Sequence, residues 1–127
     1  PPIDNPLFGS AEQSPRMKNK DVVMLVDYNG IQKACPLKIM QGHEIVHDRF
    51  NGKPLAVTYC PLCASAVAFI PEVGGETVEF GVSGLLHNSD LVMYDHQTLS
   101  YWFQVGGEAI VGALTGARLY FAYGEAP

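Results

Sequence analysis

The chain is 127 residues long, which fits one domain able to bury its own core without a metal or a disulfide. It is 47% hydrophobic and 17% charged, with a net charge of -5 and a pI near 5.2. An acidic chain with scattered basic residues excludes a nucleic-acid surface, so no nucleic-acid partner is expected.

No apolar run approaches the roughly 18 residues of a membrane helix, so no transmembrane segment is expected. The opening PPIDNPLF is not a signal segment and lacks Met, as a trimmed or mature form would. Residues 1–20 carry prolines and polar groups and read as an N-terminal arm, with Ile3, Leu7 and Phe8 as its contacts. Arg16, Lys18 and Lys20 form a solvated trio within it. Residues 21–127 read as a single β-rich domain. DVVMLVDY is its first strand, and Asn29-Gly30 turns it back into IQKAC.

PLKIMQGHEIVHDRF is the one stretch with helical character. Pro36 suits a helix start, and Leu37, Ile39 and Met40 form one apolar face. Gly42 interrupts it at a cost of about 1 kcal/mol against Ala. One short helix, or two single turns, is expected before the Asn51-Gly52 turn. Strands then follow at KPLAVTYC, ASAVAFI, TVEFGVSGLL, LVMYDHQT, LSYWFQV, EAIVGAL and ARLYFAY, with turns at VGGE and at Asp95 to Thr98. Gly, Asn and Asp break these runs about every ten residues. The fold class is therefore mainly β, a small antiparallel barrel or sandwich with one short helix.

Two stretches carry chemistry. His43-Glu44-Ile45-Val46-His47 fits H-E-x-x-H, which holds zinc when both histidines share one helical face. Gly42 and the nearby turn leave little helix to present it, so a metalloprotease is not expected. Cys60-Pro61-Leu62-Cys63 sets two sulfurs on one tight turn. A metal knuckle, a thiol–disulfide couple and a structural disulfide all use that spacing. ASAVAFI reads as strand, and no βαβ pattern surrounds the pair, which disfavours a thioredoxin-like site. With only Cys35 remaining, a metal at this turn takes mixed ligands. Cys35 itself reads as a small buried hydrophobe.

HNSDLVMYDH adds His87, Asp90, Met93, Asp95 and His96. Alternation along a strand sets Leu91, Met93 and Asp95 on one face and His96 on the other. An Asx-stabilised turn with Met93 in the core competes there with a ligand role. Tyr101 and Trp102 read as packing residues. There is no phosphate-cradling loop and no nucleophile elbow.

KACPLKIMQGHEIVHD, KPLAVTYCPLCASAVAF, FGVSGLLHNSDLVMYDHQTLSYWFQ and GEAIVGALTGARL resemble, in order, the bacterial and archaeal "domain of unknown function 3179" family. The likeness spans roughly residues 2 to 119. Members are typically exported or membrane-anchored, which implies an extracytoplasmic, periplasmic or cell-surface setting but no reaction. His43 and Glu44 match the family's block, whereas His47 stands where Asn is usual. Cys60 and Cys63 match, with Ala64 replacing Gly. Asn88, Ser89, Asp90, Met93, Tyr94 and Asp95 match, as do Trp102 and Gln104. Cys35, His87 and His96 look individual to this chain, and the ending LYFAYGEAP departs from the longer family ending.

The leading expectation is a Cu- or Zn-binding domain for metal handling, electron transfer or structure. Its ligands are Cys60, Cys63 and His43, with Met93, Asp95, His87 or solvent as the fourth. The alternative is a thiol–disulfide oxidoreductase using Cys60 and Cys63, aided by His43 or Glu44. A third expectation is a binding module with a Cys60–Cys63 disulfide and a recognition surface around Trp102 and Gln104.

Overall fold

The computed structural model describes residues 2–6, 8, 23–62, 65–88 and 90–122. Part of the expected arm is a strand: β1 (Ile3–Asp4) lies parallel to a later strand, with Ile3 opposite Val46 and Asp4 opposite His47. Phe8 stacks beneath the Lys33 ammonium, 4.8 Å from the ring centre. Leu7, Arg16, Lys18 and Lys20 lie outside the described residues.

β2 (Val23–Tyr28) and β3 (Ile31–Pro36) form the expected hairpin. Asn29 and Gly30 sit at φ 52° and 80°, the left-handed pair of a type I′ turn. Helix α1 (Leu37–His43) starts after Pro36, whose extended backbone occupies the N-cap. The helix is shorter than its sequence pattern predicts, and its apolar face is narrower. Met40 is its buried residue, while Ile39 is 47% exposed.

At Glu44 the backbone turns to φ 69°, ψ -32°, and its N–H closes the last turn on the Met40 carbonyl. IVHDRF, expected as more helix, is instead β4 (Ile45–Phe50). The β-branched pair Ile45-Val46 favours a pleated surface, and pairing with β5 (Lys53–Cys60) satisfies the backbone. Asn51 and Gly52, at φ 53° and 84°, make the connecting turn.

β6 (Ser65–Ile70) pairs back onto β5. The strands β7 (Glu72–Val73) and β8 (Glu76–Thr77) form a small ribbon around the Gly74-Gly75 turn. β9 (Phe80–His87), β10 (Asp90–Asp95), β11 (Tyr101–Phe103) and β12 (Glu108–Val111) build an antiparallel meander. β13 (Tyr120–Phe121) returns to pair with β6.

The main sheet has the order β1-β4-β5-β6-β13, and the second has β12-β11-β10-β9. Neither closes, so among the described residues the fold is layered rather than a barrel. β5 explains why. Leu55, Val57 and Tyr59 face one core with Val26, Cys35, Met40 and Phe50, under the β2–β3 hairpin and α1. Ala56 and Cys60 face a second core with Phe69, Phe80, Met93 and Trp102, under the second sheet. A strand covered on both sides reads as a near-continuous apolar run, as PLAVTYC does.

Met40 therefore anchors the helix that carries His43. Met40→Ala is expected to lower unfolding stability by about 2–5 kcal/mol in urea titrations. Ile39→Ala, one residue away on the exposed side, is expected to stay within about 0.5 kcal/mol. Equal losses would mean that α1 is not held by Met40.

Candidate functional site

Cys60 lies at one end of the main sheet. Cys60 ends β5 and pairs with Ser65, the first residue of β6. Pro61 and Leu62 form the turn that follows; Cys63 and Ala64 lie outside the described residues. Cys60 is a free thiol, 1% exposed, with its side chain in the second core.

The backbone at His43 reaches the same end by strand register, although α1 covers the face of the main sheet opposite the Cys60 side chain. Ile45 pairs with Thr58, and the next step is a bond from the Tyr59 N–H to the Glu44 carbonyl at 2.8 Å. His43 and Cys60 are the chain neighbours of that bonded pair, so their Cα atoms lie within roughly 13 Å. His43 is half-buried, and burial pushes the Glu44 carboxyl up from its ordinary value. Glu44 also holds a positive φ without being glycine, a conformation that a side chain adopts only under constraint.

A buried polar network braces this end. Gln104 is fully buried and spans the two sheets. Its amide N–H donates to Thr58 Oγ1 at 3.0 Å, and its carbonyl accepts from Ser65 Oγ at 2.9 Å. Thr58 Oγ1 in turn donates to the Val67 carbonyl at 2.7 Å. The Asp90 carboxylate, 3% exposed, accepts the Val105 N–H at 2.8 Å and lies 3.4 Å from Ser65 Oγ. Among the described residues no buried side-chain polar atom lacks a partner. The network thus fixes the first residue of β6, and with it one stem of the CxxC turn.

The remaining candidates divide by position. His87 is exposed, pairs with Asp90 across the β9–β10 hairpin, and meets the Phe103 ring edge-on at 4.9 Å. It belongs to the same end. Met93 is fully buried, in the same core cluster as Cys60. Asp95 stands apart from Asp90. It ends β10 five residues beyond Asp90, roughly 17 Å away along the strand. Its carboxylate is already engaged by the Trp102 indole N–H at 2.8 Å and the Thr98 hydroxyl at 3.0 Å. Cys35 packs in the other core, on the far side of the main sheet from Cys60, where burial pushes its thiol up. Among the described residues, no three His, Cys, Asp or Glu side chains converge as a metal site; Cys63 is not among those residues.

H-E-x-x-H does not form its helical arrangement. His43 is the last helical residue, Glu44 breaks the helix, and His47 lies within β4. Both His47 nitrogens are occupied, by the Asp4 carboxylate at 2.7 Å and the Phe80 N–H at 2.9 Å. Nor do Trp102 and Gln104 offer a recognition surface, because both are fully buried.

A family model described as a protein of unknown function, DUF3179, matches residues 1–122. The chain belongs to that family. No curated protein and no solved structure matches it. In this DUF3179 chain, the sequence blocks TYCPLCASA, NSDLVMYD and WFQ come together through Thr58, Ser65, Asp90 and Gln104. Thr58, Ser65 and Asp90 are absent from the ligand set proposed from sequence. One signal was available for Thr58: alternation along β5 sets it on the face of Cys60.

Asp95 yields a pH test in the same DUF3179 chain. Burial pushes its carboxyl up, but the Trp102, Thr98 and Ser100 hydrogen bonds outweigh this and hold it below the ordinary value. A depressed folded-state value contributes stability above the unfolded aspartate value of about 3.9 and loses it as pH falls through the folded one. Urea unfolding between about pH 5 and 2 is therefore expected to show an acid-dependent loss that Asp95→Asn flattens. An unchanged acid limb in the variant would contradict this.

Proposed function

We propose that this domain is an extracytoplasmic metal-binding module. Its ion takes the sulfurs of Cys60 and Cys63 and the imidazole of His43, with His87, Met93 or solvent completing the shell. Support comes mainly from one observation: the Tyr59–Glu44 hydrogen bond brings the His43 end of α1 to the strand end that carries the CxxC turn. The localisation rests on the family resemblance alone.

The chemistry of the donors fits a thiophilic ion. Thiolate and imidazole suit zinc or copper, and a thioether donor from Met93 would select copper. Cys60 is shielded from water. A bound cation removes the proton and offsets the charge. A nucleophilic thiol instead needs exposure and a nearby positive charge. Among the described residues, Lys33 and Arg118 are paired with Asp48 and Glu108, Arg49 donates to the Gly52 carbonyl, and Lys53 starts β5 at its opposite end. The protein's own part is to hold the donors. Gln104, Ser65 and Asp90 stiffen the turn, and Met40 seats the helix that carries His43.

Protein produced with copper and zinc present is expected to carry about one ion per chain by elemental analysis. Cys60→Ser should abolish loading. Ser65→Ala removes the hydroxyl that ties β6 to Gln104, and should weaken affinity by roughly 10–100-fold. Metal-free protein whose thiol titration is unchanged by chelator would contradict the proposal. A reducible Cys60–Cys63 disulfide in that protein would favour the thiol–disulfide oxidoreductase instead.

A further inference from the structure

His47 is the half of the H-E-x-x-H pattern that the metal site leaves unused, and its ring joins three strands. Nδ1 stands 2.7 Å from Asp4 Oδ1 on β1, and Nε2 accepts the Phe80 N–H at the start of β9 at 2.9 Å. A nitrogen that accepts an N–H carries no proton, so the ring's one proton sits on Nδ1 and is donated to Asp4. A second proton has only Nε2 to take. Taking it turns an acceptor into a donor facing another donor. Imidazoles exchange that proton within about pH 5–8.

The charged groups around His47 are paired or exposed to water. His47 lines a cleft of about 240 Å³ with Asp4, Asp48, Arg49 and Glu79. Asp48 is paired with Lys33 at 2.7 Å. Glu79, just ahead of β9, is 57% exposed and lies 4.0 Å from His96. Asp4 is 59% exposed, so its charge and that of Glu79 are screened by water. Asn5, Pro54, Leu55, Pro71, Thr77 and Val78 complete the wall without a titratable group.

The ring is also wired to an optical reporter. His47 stacks on Phe80, 6.5 Å between ring centres, and Phe80 meets Trp102 edge-on at 5.8 Å. Trp102 is the one tryptophan in the chain.

We infer that His47 is a proton-operated latch between the main sheet and the second sheet. The neutral ring holds the start of β9 against β4. The imidazolium keeps Asp4 and releases the Phe80 amide. This stands apart from the metal proposal, since His47 is not among the donors.

The test follows Trp102 emission and the hydrogen-exchange protection of the Phe80 amide from about pH 8 to 5. It compares the full chain with His47→Asn, His96→Asn and Asp4→Asn. His47→Asn keeps one acceptor and one donor but takes up no proton. Wild type and His96→Asn are expected to show one step in both signals, with Phe80 protection falling roughly five- to tenfold. His47→Asn should show neither step, while keeping wild-type Trp102 emission at about pH 8. Asp4→Asn should move the step to lower pH, because it removes the anion that favours the imidazolium. A step that survives in His47→Asn, or a wild type without one, overturns the latch.

Discussion

Strand β5 is the constraint on which the rest depends. It pairs with β4 on one side and β6 on the other, and both of its faces are covered. Side chains alternate across it, so one register decides which residues meet the hairpin and helix and which meet the second sheet. A slip of one residue would exchange Leu55, Val57 and Tyr59 for Ala56, Thr58 and Cys60. Thr58 would then lose Gln104, and Cys60 would leave the second core.

The same register brings the backbone ends of the candidate site's strands together. Cys60 ends β5, Ser65 begins β6, and Glu44 bonds Tyr59 where β4 gives way to α1. Gln104 and Asp90 then clamp the second sheet onto that end. Buried polar groups of this kind are costly unless all are satisfied. Among the described residues they are satisfied, and they sit beside the strand end that carries the Cys60 thiol. A purely structural core would be served as well by apolar residues at these positions, as it is at Phe69 and Phe80. Polar bracing next to soft donors is what a metal site needs from its surroundings.

Much of the fold was legible in the sequence. Asn29-Gly30 and Asn51-Gly52 mark turns because both residues must take positive φ, and both do. The meander after residue 79 follows its Gly- and Asp-rich breaks. β4 was not legible, because a helix-compatible run continues through Gly42 into HEIVHD. Only a long-range partner, β5, makes IVHDRF a strand. The polar network was hidden for a related reason. Gln104 and Thr58 lie 46 positions apart, and no local pattern links them. The setting of Asp95 was equally hidden, since alternation gives its face but not its distance from Asp90 or its bond to Trp102.

We propose that thiolate and imidazole share one ion at the end of β5, and X-ray absorption at the metal edge of the loaded chain reads the ion's donors. Mixed donors are expected, with sulfur at about 2.3 Å and nitrogen at about 2.0–2.1 Å for zinc. A shell of oxygen and nitrogen alone would contradict it, because it would leave Cys60 and Cys63 outside the site.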